Sequence, residues 1–182
     1  GMQVVRECNR LGILIDCSHV GERTTLDAIR ESSKPVVVSH TAVKALVDNP
    51  RCVTDEQMKA IAAKGGTVGI TTFSPFINRE RQPTLDDYLD HFDYAINLIG
   101  EDHVTFATDW FDGKTQVNWA TPRFYPEVTQ GKQYDGLGLV GFSRRSELVN
   151  VVDGFLARGY GEGRIRKILG GNFLRVLKEA WK

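Results

Sequence analysis

The chain has 182 residues, enough for one domain with a sizeable core, and its 41% hydrophobic content excludes a disordered chain. Its 23 basic and 23 acidic residues cancel without a basic stripe, which argues against a nucleic-acid partner. No apolar run approaches the ~20 residues that span a bilayer, and the charged, helix-like start "GMQVVRECNR" does not read as a secretory leader.

In chain order, the first apolar run is Ile13–Asp16, followed by a helical stretch at Thr24–Glu31. The second run is Val36–Ser39. A capping box, Thr54-x-x-Gln57, opens a helix over Thr54–Lys64 that stops at Gly65-Gly66. The third run is Thr67–Thr72. After it, Leu85, Leu89, Phe92, Ile96 and Ile99 share one face of a helix over Thr84–Ile99, which ends at Gly100. The fourth run is Val104–Thr108. None of the four runs alternates polar and apolar residues, so both faces are covered, as in a parallel sheet. Strands alternating with helices make βαβ units. Phe111–Gly141 shows no period and reads as a lid, a binding segment or a mobile loop. Ser143–Arg158 and Gly163–Trp181 read as closing helices, the second breakable at Gly170-Gly171. One α/β domain over 1–182 is expected.

Two runs end alike. "ILIDCSH" closes on Ser18-His19 and "PVVVSH" on Ser39-His40, which uses two of the four histidines in the chain. Functional side chains of parallel α/β folds gather at the C-terminal strand ends. His19 and His40 sit about one βαβ step apart, so neighbouring strands ~4.8 Å apart can bring both imidazoles to one divalent metal, zinc above all. The competing reading is two unrelated polar residues at loop starts. "VTFATD" adds Asp109 at the same end, either functional or a turn cap. Arg51 reads by composition as a surface arginine.

Other residues invite and fail the same reading. His91 and Asp93 in "HFD" have metal-ligand spacing only for a strand. On a helix, residues two apart point ~200° apart, so both are structural. His103 falls at the wrong end of the sheet. Cys17 is a candidate thiolate ligand or a small core cysteine. Cys8, Cys17 and Cys52 are an odd number without a C-x-x-C pair, which fits a reducing, cytoplasmic compartment better than a disulfide framework.

"ILIDCSHVGERTTLDAIRESSKPVVVSHTAVKAL", "NPRCVTDEQMKAIAAKGGTVGITTF", "TLDDYLDHFDYAINLIGEDHVTFATD" and "GGNFLRVL", in that order, resemble the membrane (renal) dipeptidase family. These are zinc peptidases on a (β/α)8, TIM-like barrel related to the amidohydrolases. The resemblance spans nearly the whole chain outside Phe111–Gly141. It implies that His19 and His40 are zinc ligands after the fifth and sixth barrel strands. It implies that Arg51 holds the substrate's terminal carboxylate, and that Asp109, after the eighth strand, handles a proton or the substrate amine. Ser18 and Ser39 are then supporting or turn residues.

Two departures accompany the resemblance. The family has a compact Asp-Phe-Asp-Gly after its last strand, where this chain has Asp109-Trp110-Phe111-Asp112-Gly113. The family's His-x-Asp and bridging glutamate lie in the N-terminal half of the barrel, which has no counterpart in this sequence. The expected fold is therefore a C-terminal half-barrel of four parallel strands, with a partial or empty zinc site. A half-barrel exposes strand edges and an inner face carrying "VVV" and "VGI". A homodimer, a separate N-terminal half, or a cover from Trp119, Phe124 and Tyr125 would close it. Two functions follow: a dipeptidase acting on dipeptide substrate, or a catalytically dead half-barrel that serves as an oligomer or binding module.

Overall fold

A computed structural model describes residues 1–110, 129 and 138–181. Four strands, β1 (Ile15–Asp16), β2 (Val36–Thr41), β3 (Thr67–Ile70) and β4 (Val104–Phe106), form one parallel sheet in chain order. Ile15 pairs with Val36, Val37 with Thr67, and Val68 with Val104. Helix α1 (Met2–Leu11) precedes the sheet. Helices α2 (Glu22–Glu31), α3 (Asp55–Ala63), α4 (Ser74–Ile77) and α5 (Leu85–Ile99) fill the crossovers. Helices α6 (Leu148–Ala157), α7 (Glu162–Arg166) and α8 (Asn172–Ala180) follow. Sequential parallel strands with helical crossovers are the repeating unit of a TIM-like barrel, and four of them make half of one.

The elements fall where the sequence predicts, with shifted ends. Thr54 caps α3 through the expected box with Gln57, and Thr84 caps α5 through a second box closed by Asp87. Helix α2 begins two residues before the predicted Thr24, on Gly21. Helix α4 was not predicted, because four residues are too few to show a period. The predicted closing helix Gly163–Trp181 is three pieces: α7, a π-helical turn over Lys167–Gly171 that kinks at Gly170, and α8. The expectations for Phe111–Gly141, including Trp119, Phe124 and Tyr125 and the turn at Phe111-Asp112-Gly113, fall almost wholly outside the described residues.

One packing expectation is corrected. Val36, Val38, Val68 and Ile70 do not line an open inner face. They are buried in one cluster with Ile29, Met58, Ile61, Tyr88 and Phe92 of the helical layer. Val37 is also buried, at 1% exposure. The strand alternation sends "VVV" and "VGI" mainly toward the helices, so the chain itself covers them.

Helix α8 lies across the N-terminal ends of the strands. Arg175 donates to the carbonyls of Gly65 and Asp102, just before β3 and β4, at 2.8 and 2.9 Å. Asn172 donates to the carbonyls of Glu101 and Val104 at 2.7 and 2.9 Å. His103 meets the Gly66 carbonyl at this end, at 2.9 Å, as its structural reading expects. The opposite, C-terminal end of the sheet is left for chemistry.

His91 and Asp93 are structural, and each has its own task. Asp93 pairs with Arg158 and accepts from the Tyr160 hydroxyl, joining α5 to α6. His91 is 1% exposed. Its Nδ1 accepts the Val43 N–H at 3.0 Å, and its Nε2 lies 3.3 Å from the Ile77 carbonyl. These two bonds fix the neutral Nε2–H form. Burial pulls the His91 pKa down to about 4, against the Ile77 carbonyl, which works to raise it.

A pH dependence follows. The unfolded chain protonates this histidine below about 6.5 while the folded chain does not. Stability is therefore complete above that pH and falls by up to about 3 kcal/mol as pH drops toward 4. His91→Gln should lower stability at pH 7.5 by about 1–3 kcal/mol and flatten the fall between pH 6.5 and 4. Urea midpoints at the three pH values test this, and parallel curves for the two proteins would contradict it.

Candidate metal centre

The ends of β1 and β2 are tied together by one carboxylate. Asp16 Oδ1 accepts the backbone N–H groups of Ser18 (2.9 Å) and Ser39 (3.0 Å) and the Ser18 hydroxyl (2.9 Å). Asp16 Oδ2 accepts the Ser39 hydroxyl at 2.5 Å. Burial alone would raise the Asp16 carboxyl, but the bonds from Ser39 and Ser18 outweigh it and hold the group below its ordinary value. Asp16 is therefore an anion near neutral pH, and its bonds are of the strong, charge-assisted kind.

Strand β2 is irregular at this point. Val38 pairs with Val68 and Thr41 with Ile70, so β2 holds one more residue than β3 between those pairs. That is a bulge around Ser39-His40, of the kind that re-aims a side chain at a sheet rim. Gly69 makes the bulge possible. A Cβ at Gly69 would lie 2.0 Å from the Ser39 carbonyl oxygen, a distance no side chain tolerates.

His19 and His40 come together above this clamp. Their Nε2 atoms are 2.8 Å apart, with ring centroids 4.9 Å apart. His40 Nδ1 lies 2.9 Å from the Ser39 hydroxyl, and the His40 N–H donates to the Ser18 hydroxyl at 3.1 Å. Burial, then the charges of Arg51 and His40, lower the His19 pKa against the opposing pull of Asp109 and Asp16. His19 is thus neutral at pH 7, the form that ligates metals.

Arg51 is drawn to the same end by its loop. The Thr41 hydroxyl donates to the Arg51 carbonyl at 2.9 Å, and the Arg51 N–H donates to Asn49 Oδ1 at 3.0 Å. Val43 and Val53 form a parallel bridge that folds the loop back beside β2. The guanidinium stands 5.4 Å from the centre of the Phe76 ring. Arg51 is not the surface arginine that composition suggests. Its Nη2 is buried without a hydrogen-bond partner, and burial lowers its pKa against Asp109, Cys52 and Asp16. Arg51, Cys17, His19, Val38 and Thr41 line part of a cavity of about 70 Å³.

Asp109 is positioned by the two strands beside it. The hydroxyls of Thr71 and Thr72 both donate to the Thr108 carbonyl at 3.1 Å. The Tyr88 hydroxyl is 2.8 Å from the Ile70 carbonyl and 3.2 Å from that of Ala107, bridging the ends of β3 and β4. His19 (φ 62°) and Asp109 (φ 56°) are the two non-glycine residues with positive φ among those described. Strain of this kind concentrates at functional sites. Cys17 is 5% exposed, and burial, then Asp16, push its thiol up to about 11, so it is a core cysteine. All three cysteines are free.

The residues suit a metal, in part. Two imidazole nitrogens face one another, and His19 is held neutral. Two nitrogens on one tetrahedral zinc at ~2.0–2.1 Å stand about 3.3 Å apart, so this pair needs to open by about half an ångström. Among the described residues, no group of three or more His, Cys, Asp or Glu side chains is placed to hold an ion. The described chain therefore offers two of the four donors of a tetrahedral site. The sequence reading gave Asp16 no role. Its signal was available: a carboxylate two residues before the serine and three before the histidine of "DCSH".

A half-barrel with paired histidines at its C-terminal strand ends points to a metal-dependent hydrolase. The profile of the "Membrane dipeptidase (Peptidase family M19)" family matches residues 1–131 and 125–182, and the chain belongs to that family. It is 32% identical over 180 residues to "Dipeptidase tcpJ" of Claviceps purpurea, covering 98% of this chain and 37% of that protein. An amidohydrolase from Pseudomonas aeruginosa superposes with a TM-score of 0.85 at 35% identity, covering 100% of this chain and 56% of the other. A metallopeptidase from Rhodobacter sphaeroides, solved with a phosphinate mimic of the dipeptide L-Ala-D-Ala, gives 0.80 at 29% identity, with 100% and 46% covered. The chain spans about half the length of these relatives, or less. No helix among the described residues is long and apolar enough to cross a membrane.

The left-handed backbone at Asp109 sets a stability order. Alanine there brings its Cβ against a carbonyl oxygen, at about 1–2 kcal/mol, and glycine does not. Asp109→Gly should be about 1 kcal/mol more stable than Asp109→Ala in urea unfolding. Equal midpoints would contradict the strained conformation.

Proposed function

We propose that this chain contributes the C-terminal half of a zinc-dependent dipeptidase site, with His19 and His40 as metal ligands. The carrying observation is the pair of Nε2 atoms 2.8 Å apart at the strand ends. When bound there, zinc supplies a Lewis acid for the scissile carbonyl and an activated water near neutral pH. The chain's own residues do the rest. Arg51 receives the substrate's free carboxylate, since its buried Nη2 lacks a partner and a planar guanidinium matches a carboxylate in two bonds. Arg51 lines an adjoining cavity of about 70 Å³, which has room for a small polar group such as a carboxylate. Asp109 takes the proton or the substrate amine, within electrostatic reach of both His19 and Arg51. The dipeptide mimic bound by the Rhodobacter relative supports a dipeptide substrate.

One observation favours a second reading for the chain on its own: two ligands are too few for a complete site. In that reading the chain is an inactive half-barrel. The outer edges of β1 and β4 carry no further strand among the described residues, and strands from a second copy or from further chain of the same protein fit there.

Zinc uptake and turnover by the same sample separate these ideas. The chain should take up zinc in equilibrium dialysis, and His19→Ala or His40→Ala should weaken uptake at least tenfold. Dipeptide hydrolysis by the zinc-loaded chain alone should fall far below an ordinary ~10 s⁻¹. Absent uptake, or uptake indifferent to both substitutions, contradicts the metal assignment. Ordinary turnover abolished by Asp109→Asn contradicts the half-site. Sedimentation of that sample distinguishes a two-copy assembly from a 20.3 kDa monomer.

A further inference from the structure

We infer that Asp16 is a positioning residue that acts through Ser39 to fix the tautomer of His40, placing the hydrogen on Nδ1 and the lone pair on Nε2. The inference rests on the reading of His40 as a metal ligand, and it follows from counting protons. The Ser39 hydroxyl has one proton and two neighbours that could receive it besides the imidazole. Asp16 Oδ2 is 2.5 Å away and the Ser18 hydroxyl 3.1 Å away. The shorter contact runs to an ionised carboxylate, and bonds to charged acceptors are the stronger ones. The Ser39 proton therefore belongs to Asp16.

The Ser18 hydroxyl proton is likewise committed to Asp16 Oδ1, at 2.9 Å. With its proton used, the Ser39 oxygen can only accept from His40 Nδ1, 2.9 Å away. Nδ1 must then carry the hydrogen, and in the neutral ring the lone pair is on Nε2. His19 Nε2 lies 2.8 Å from the His40 Nε2 that this assignment leaves unprotonated.

The two histidines therefore play unequal parts. His40 is set in advance as a ligand by a carboxylate–hydroxyl–imidazole chain. His19 is exposed, and its ring contact here is with His40. Ser18 and Asp16 hold the frame: the Ser18 hydroxyl accepts the His40 N–H at 3.1 Å, and Asp16 ties both serines.

The test reads the tautomer in the metal-free protein. Long-range proton–nitrogen NMR of histidine-labelled chain at pH 8 distinguishes a pyrrole-type from a pyridine-type nitrogen. His40 should show Nδ1–H in wild type and in His19→Ala, which removes the competing contact. Ser39→Ala should shift it toward a mixture of tautomers, and Ser39→Thr should restore Nδ1–H. Asp16→Asn should shift it as well. If Asp16→Asn does not fold, the Ser39 pair carries the test. Wild-type His40 as Nε2–H, or a tautomer unchanged in Ser39→Ala, overturns the inference. Zinc competition titration is the separate arm. Ser39→Ala should lose about 10–100-fold in affinity, with Ser39→Thr restoring it. A shifted tautomer with unchanged zinc affinity overturns the reading of His40 as a ligand and leaves the proton chain standing.

Discussion

The site depends on one carboxylate. Asp16 gathers four donors from two strand ends, two of them backbone N–H groups that have left the regular ladder. Without it, the bulge in β2 would leave the Ser39 N–H to find another partner, and the two strand ends would lose their shared acceptor. The same four bonds fix the serines, and the serines fix His40 through its ring and its backbone N–H. The clamp thus links local backbone geometry to the chemistry at the rim.

Other features assemble around that clamp. The bulge re-aims His40, and the missing side chain at Gly69 lets the Ser39 carbonyl approach β3. Left-handed backbone at His19 and Asp109 turns the chain sharply after β1 and beyond β4. Arg51 brings a cation into partial burial beside these groups, with one nitrogen unpaired. Burial first and the Arg51 charge second lower the His19 pKa, and a desolvated guanidinium with an unpaired nitrogen favours an anionic neighbour. The opposite end of the sheet is closed by α8, whose Asn172 and Arg175 side chains donate to backbone carbonyls there.

Much of this is legible in the sequence, for identifiable reasons. Apolar runs without alternation mark the four strands, and their order follows from the βαβ alternation. The repeated Ser-His at two strand ends points to the meeting of His19 and His40. The capping residues Thr54 and Thr84 mark helix starts to within a residue. What is not legible depends on contacts distant in sequence. Composition makes Arg51 a surface residue because nothing local signals a loop folded back by Val43 and Val53. Burial of "VVV" is misread because alternation alone cannot say which face the helices cover. Asp16 is passed over because its partners are split between its own strand end and a residue 23 positions later. The one-residue bulge leaves no mark in the residue pattern at all.

The chain belongs to a dipeptidase family and brings His19 and His40 together at the strand ends of half a barrel. The central claim is that imidazoles, and not the nearby Cys17 thiol, receive the ion. Zinc-edge X-ray absorption on the zinc-loaded chain tests it most directly. The account predicts nitrogen or oxygen neighbours at about 2.0–2.1 Å, with outer-sphere features of two imidazoles. A sulfur neighbour at about 2.3 Å, or a spectrum without imidazole features, would contradict it.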